Sequence, residues 1–319
     1  MLTLLITCPE SKAEPAPRSH LSEDRLAEKA LMEGRIDESV ARAQSLIQTD
    51  PADAAPRLIL CRAYFAEEMI DDSITSCEAA LTVAPDNSQI EDWLGRAYGR
   101  KADRSGPIAG FELAHRVKNT FEAAVEHDPH NIEAVNDLSE YYVSAPAVVG
   151  GGVDKADALA DRVAPYMPQQ AHRIRGLAAE KRRDYGTADR EYHAEIEVGR
   201  RPEAWVDLAN FYKRRHDDGR ALEAVRHCLE ADRMHDASIV DAAGILDELQ
   251  LDPALEQQML RLYLAGNAKS DDAPVIHVDV LLSKMLLKAG SKSAAKIELK
   301  DALGLAANYM PAKHALRDL

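Results

Sequence analysis

Pro51 and Pro85 stand 34 residues apart, and the residues leading to each repeat one order of small and apolar side chains. Counted as positions 1 to 34 from Ala54, Leu60, Cys61 and Tyr64 fall at 7, 8 and 11. That spacing puts them on one face of a helix by 3.6-residue periodicity. Ser73, Cys77, Ala80 and Leu81 fall at 20, 24, 27 and 28, the facing side of a second helix. Pro85, at 32, ends that second helix, because a proline pushes the residue before it out of the helical region. Small residues at 8 and 20 let the two helices approach, and larger ones fill the space between successive pairs. Such a unit cannot hide its apolar face alone, so the period predicts an all-α stack of helical hairpins presenting an extended surface.

The same grid fits upstream, with Leu26, Ala27, Ala30, a turn at Gly34, then Leu46, Ile47 and Pro51. Downstream, Leu94, Gly95 and Tyr98 repeat the first-helix signature, but Phe121, Ala124, Val125 and Pro129 arrive late. An inserted loop over Lys101–Leu113, with Phe111 as its apolar anchor, is the expected reason. The sixth unit carries Trp205, Leu208, Ala209, Tyr212 and Ala221, while the fifth and seventh rest on fewer matches, Ala188 and Ala242 to Leu255. The expected organisation is an arm over residues 1–19, then units over 20–53, 54–87, 88–131, 132–168, 169–201, 202–235, 236–268 and 276–307. A capping helix over 308–319 closes the list. Gly150-Gly151-Gly152 falls between the two helices of the fourth unit. It reads as a tight reversal rather than a phosphate loop, since no Gly-Lys-Ser/Thr follows and no strand precedes.

The pattern resembles the tetratricopeptide repeat family, whose units read W-x2-L-G-x2-Y, then alanine, alanine and proline, and bacterial members in particular. The resemblance implies an α-solenoid of about eight hairpins acting as a non-catalytic protein–protein interaction scaffold. In the family the first helix of each hairpin lines a concave groove that holds a peptide or helix of a partner protein. The positions that line it are occupied here by Arg62 and Phe65, Arg96 and Arg100, Asn136, Arg173, and Asn210 in units two to six. Arg62 and Arg96 share one position in adjacent units, so they are expected side by side, with Arg100 one turn beyond. Such a basic stripe suits a partner carboxylate; the alternative is that the arginines pair with Asp92, Asp137 and Glu140. The lysine and asparagine set by which co-chaperones of the family grip C-terminal carboxylates is missing, with Asp24, Glu28, Gln89 and Trp93 at the matching positions.

A net charge of −15 opposes sequence-independent nucleic-acid binding, which needs cations to displace counterions, and no apolar stretch is long enough to span a bilayer. Leu5-Ile6-Thr7-Cys8 is similar to a bacterial lipoprotein lipobox, with Cys8 as the acylated residue and Thr7 a departure from the preferred glycine or alanine. The expectation is an exported, periplasmic or envelope-associated protein whose MLTLLIT is the tail of a truncated signal; the alternative is a cytoplasmic adaptor or assembly regulator. Cys61, Cys77 and Cys228 occupy inner positions and are expected as buried thiols, a Cys61–Cys77 disulfide being the alternative in an oxidising compartment. No cofactor motif, zinc spacing or nucleophile motif is found, and His127 and His130 lack a third metal ligand. An enzyme or metal-dependent protein is therefore the third reading.

Overall fold

The computed structural model describes residues 20–319; Cys8 and the lipobox-like residues lie outside the described residues. Four hairpins open the array: α1 (His20–Met32) with α2 (Ile36–Thr49), α3 (Ala55–Ala66) with α4 (Ile70–Val83), α5 (Ser88–Asp103) with α6 (Pro107–His127), and α7 (Ile132–Ser144) with α8 (Val153–Val163). Four more follow: α9 (Pro168–Lys181) with α10 (Tyr185–Gly199), α11 (Pro202–Arg214) with α12 (Asp218–Ala231), α13 (Ala237–Leu249) with α14 (Pro253–Ala265), and α15 (Val275–Lys288) with α16 (Lys292–Leu305). A single helix, α17 (Met310–Arg317), ends the described chain. The fold is an all-α, tetratricopeptide-like solenoid.

Repetition in sequence becomes repetition of bonds. Ser39 Oγ donates to the Ala27 carbonyl at 2.9 Å, and Ser73 Oγ donates to the Cys61 carbonyl at 2.9 Å. Each bond ties the second helix of a hairpin to the first, and the two lie one period apart. At the same inner position α5 carries Gly95, where an added Cβ would stand 2.4 Å from the Phe121 ring, so the glycine lets the ring lie against the backbone. Local signals start the helices. Asn87 and Asn131 accept from the backbone N–H groups of Ile90 and Ala134 as N-caps. Proline sits in the first turn of α3, α6, α9, α11 and α14, where its missing N–H costs nothing.

Four sequence expectations change in the structure. Residues 101–113 are not a loop: α5 runs to Asp103 and α6 starts at Pro107, so the extra residues lengthen one hairpin. Phe111 accordingly lies on the surface of α6, half exposed, with its ring edge-on to His115 at 4.8 Å. Pro168 begins α9 rather than closing the preceding unit. Cys61 and Cys77 are joined as a disulfide across the α3–α4 hairpin, and Cys228 is a buried free thiol.

The fourth change concerns shape. The array is not an open strip, because its first and last hairpins share one apolar core. Leu31, Ile36, Ile59 and Leu60 from the first three helices pack with Ile276, Val280, Leu299 and Ala312 from the last three, and with Tyr309 just before α17. Backbone groups follow: Ala307 N–H donates to Asp37 at 2.9 Å and Asn308 N–H to Glu67 at 3.2 Å. α17 thus caps α16 while lying in the same core as α1–α3, and the array closes on itself.

Candidate functional site: the lumen of the closed array

The odd-numbered helices form the inner wall. A cavity of about 870 Å³ is bounded by Asn136 of α7, Arg173 of α9, Asn210 of α11, Asp241 of α13 and His277 of α15. An adjoining space reaches Gln169, Glu195 and Glu203. A third lies on the other side, against Arg62, Trp93 and Arg96. Between them runs the segment that links α14 to α15, contributing Ser270, Asp271 and Asp272 to the walls. Tyr263 holds this linker in place: its hydroxyl donates to the Ala273 carbonyl at 2.6 Å and accepts from Ser270 N–H at 3.1 Å.

Arg62 and Arg96 do stand on neighbouring helices and share a neighbour, Trp93, whose ring lies 5.6 Å from one guanidinium and 4.8 Å from the other. Neither is a free cation. Arg62 is 4% exposed and is gripped by both oxygens of Asp271, with Glu28 on a third donor at 2.6 Å. Arg96 pairs with Asp92, Asp137, Glu133 and Asp272. Burial works against the charge of both arginines, but their carboxylate partners hold their pKa values above the ordinary range. Asp92 pays the converse cost, as burial and then the Asp137 charge push its carboxyl up to about 8. The chain's own Asp271 and Asp272 therefore fill the carboxylate positions that the basic stripe offers. Phe65 meets Trp93 edge-on at 5.4 Å, and Arg100 lies over the Phe65 ring at 5.8 Å, so these two extend the same packed cluster.

Farther along, Arg173 donates to Asp207 at 2.9 Å and also to Glu140. Lys213 pairs with Glu248, Arg214 with Glu180, and Arg201 with Glu203. Most of the groups left over are acceptors, although Arg173 Nη1 and the Ser270 hydroxyl are also buried without a partner. Asn136 Oδ1, Glu203 Oε2 and both oxygens of Glu195 are buried without a hydrogen bond of ordinary geometry, with the Gln169 amide near Glu195. Asp241 faces the cavity with no ion pair among the described residues. Its side chain is exposed to the solvent of the hollow, yet the surrounding protein, then repulsion from Asp272, Asp207, Asp236 and Glu140, pushes its carboxyl upward. Asn210 lines the same wall. The sequence pattern pointed to Arg62, Phe65, Arg96, Arg100, Asn136, Arg173 and Asn210 but missed Glu195, Asp241 and the Asp271-Asp272 linker. The linker lies outside the 34-residue units, in the stretch 269–275 that no repeat position describes.

Among the described residues no cluster of histidine, cysteine and carboxylate side chains has the arrangement of a metal site, and no helix is long and apolar enough to cross a membrane. No protein-family model matches the sequence, and no curated protein is significantly similar to it. The chain has a tetratricopeptide-type fold. Solved structures of that type align with it at low identity. A tetratricopeptide repeat protein from Parabacteroides merdae shares 14% identity over 94% of this chain and 98% of its own, with a TM-score of 0.48. A thermophilic protein of the same type from Thermus thermophilus shares 14% over 72% of this chain and 99% of its own, at 0.49. PilW, a type IV pilus biogenesis factor, shares 16% over 66% of this chain and 92% of its own, at 0.47.

Proposed function

We propose that this protein is a non-catalytic scaffold that takes an extended segment of a partner protein into the lumen of its closed array. The observation that carries the reading is the inner wall itself. Successive first helices turn polar side chains toward adjoining hollows, and several of those side chains, with Glu195 of α10, carry buried polar atoms that have no hydrogen-bond partner inside the protein. Unsatisfied buried polar groups are costly, and a peptide, with its regular backbone and side-chain donors, is a ligand that satisfies many at once. Asn136, Arg173 and Asn210 are the previously marked residues that face these hollows. Arg62, Phe65, Arg96 and Arg100 serve instead to anchor the linker and the wall beside it.

The buried Cys61–Cys77 disulfide supports work in a compartment more oxidising than the cytoplasm, such as the bacterial envelope. Photo-crosslinking tests the binding reading. A benzophenone amino acid at Asn210 should capture a partner protein in the producing cell, whereas one at Glu223, on the outer face of α12, should not. Equal capture at both positions, or none at Asn210, counts against the lumen as the binding surface.

A further inference from the structure

The lumen's own chemistry selects the charge of what enters it. Carboxylates outnumber cations on its walls, and each cation there is already paired with a carboxylate: Arg173 with Asp207, Lys213 with Glu248, Arg214 with Glu180, Arg201 with Glu203. The arginines best placed to receive a foreign carboxylate are occupied by Asp271 and Asp272, which are tethered and so act at high effective concentration. What is left open is mostly acceptors, with Arg173 Nη1 a buried donor and the Ser270 hydroxyl beside them. Glu195 is the sharpest case. It is 0% exposed, sits in the wall of the cavity, and neither of its oxygens accepts a bond of ordinary geometry. Asn136 Oδ1 and Glu203 Oε2 line the same space as single buried atoms without a partner, Glu203 using its other oxygen for Arg201, and the solvent-facing Asp241 has no cation among the described residues.

We propose that the lumen recognises the ammonium or guanidinium group of a lysine or arginine presented on an extended segment of the partner protein. An ammonium brings three donors and a guanidinium five, and neither brings an acceptor, which complements a wall whose unfilled groups are mostly acceptors and whose carboxylates outnumber its cations. Such bonds are charge-assisted, and the entering cation relieves the repulsion among Asp241, Asp207 and Asp272. This inference rests on the scaffold reading and adds to it the class of side chain that is bound.

The test is fluorescence anisotropy with three dye-labelled peptides of equal length, identical except that alternate residues are lysine, serine or glutamate. The full chain is compared with Asp241→Asn, Glu195→Gln and, as an outer-face control of equal charge change, Glu223→Gln. The lysine peptide should bind at least about tenfold more tightly than the other two, and Asp241→Asn should weaken it about tenfold while Glu223→Gln leaves it unchanged. Spermidine distinguishes a protein segment from a free polyamine and should displace the peptide only at large excess. Equal losses in Asp241→Asn and Glu223→Gln would mean that only overall charge is felt, and would overturn the proposal. Preferred binding of the serine or glutamate peptide also overturns it while leaving the scaffold reading intact. Displacement by equimolar spermidine overturns the assignment to a protein segment. No binding by any of the three peptides defeats both readings.

Discussion

Arg62 donates from Nε and Nη2 to the two carboxylate oxygens of Asp271, at 2.7 and 3.0 Å, across a sequence separation of 209 residues. The bond joins the second hairpin to the linker before the eighth, so it is a clasp between the two ends of the array. Such a fork-to-fork pair is strong and geometrically specific. Its partners are nearly sealed from water, so removing one of them strands the other as a buried charge.

From this follows an asymmetry that urea unfolding can measure. Asp271→Asn should cost about 3 kcal/mol, because Arg62 keeps its charge and loses its main partner. Adding Arg62→Met to that variant should recover much of the loss, since the buried charge disappears with it. Additive losses in the double variant would mean that the two residues do not act as a pair.

Gly34 and Gly290 offer an internal control for closure. Both turn between the helices of a hairpin with nearly the same left-handed φ, 76° and 77°. At Gly290 an added Cβ meets nothing, whereas at Gly34 it would stand 2.6 Å from Val275 Cβ at the other end of the array. Gly290→Ala should therefore show only the conformational cost, about 1 kcal/mol. Gly34→Ala should cost about 1–3 kcal/mol more by overpacking the junction. Equal losses would indicate that the ends do not meet in solution.

The repeat was legible because it is local. Leu60, Cys61, Ser73 and Ala80 report helix faces through their spacing alone, and the corresponding bonds in the first two hairpins repeat as that spacing requires. Closure was not legible, because it depends on small rotations accumulated over eight hairpins, and no residue spacing encodes their sum. Asp271 and Asp272 were missed for the same reason: their partners are set by curvature, and their segment obeys no period. Arg62 and Arg96 line one space together, but sequence could not tell that the chain supplies its own acids to them. The insertion after Tyr98 was misread as a loop because Gly106-Pro107 reads as a turn, whereas Pro107 is also an acceptable first residue of a long helix.

The Cys61–Cys77 bond should be detectable by mapping under non-reducing conditions, with the tryptic peptides containing the two residues recovered as one species. It closes a separation of 16 residues within one hairpin, and a loop of that size stabilises by about 3 kcal/mol in the chain-entropy picture. Cys61→Ser with Cys77→Ser should lower the urea midpoint accordingly, and reduction of the native protein should lower it by a similar amount. If the double variant unfolds at the same urea concentration as the oxidised parent, the bond contributes nothing.

Glu195 gives a pH signature with a definite sign. Burial, followed by the Asp207 charge and opposed by Arg173, raises its carboxyl from 4.5 to about 9. Between those values the folded protein holds a proton that the unfolded chain releases, so stability from this group falls as pH rises through that window. Below about pH 4.5 both states are protonated and the contribution is at its most favourable; above about 9 it is gone. Glu195→Gln is neutral throughout and similar in shape. Its stability relative to the parent should therefore climb steadily between about pH 5 and pH 8.5, read as the difference in urea midpoints. A saturating lysine peptide should flatten that climb, because a cation beside the carboxylate removes the reason for holding the proton. A difference that is constant with pH would mean that Glu195 is ionised in the folded protein, with a partner that supports its charge.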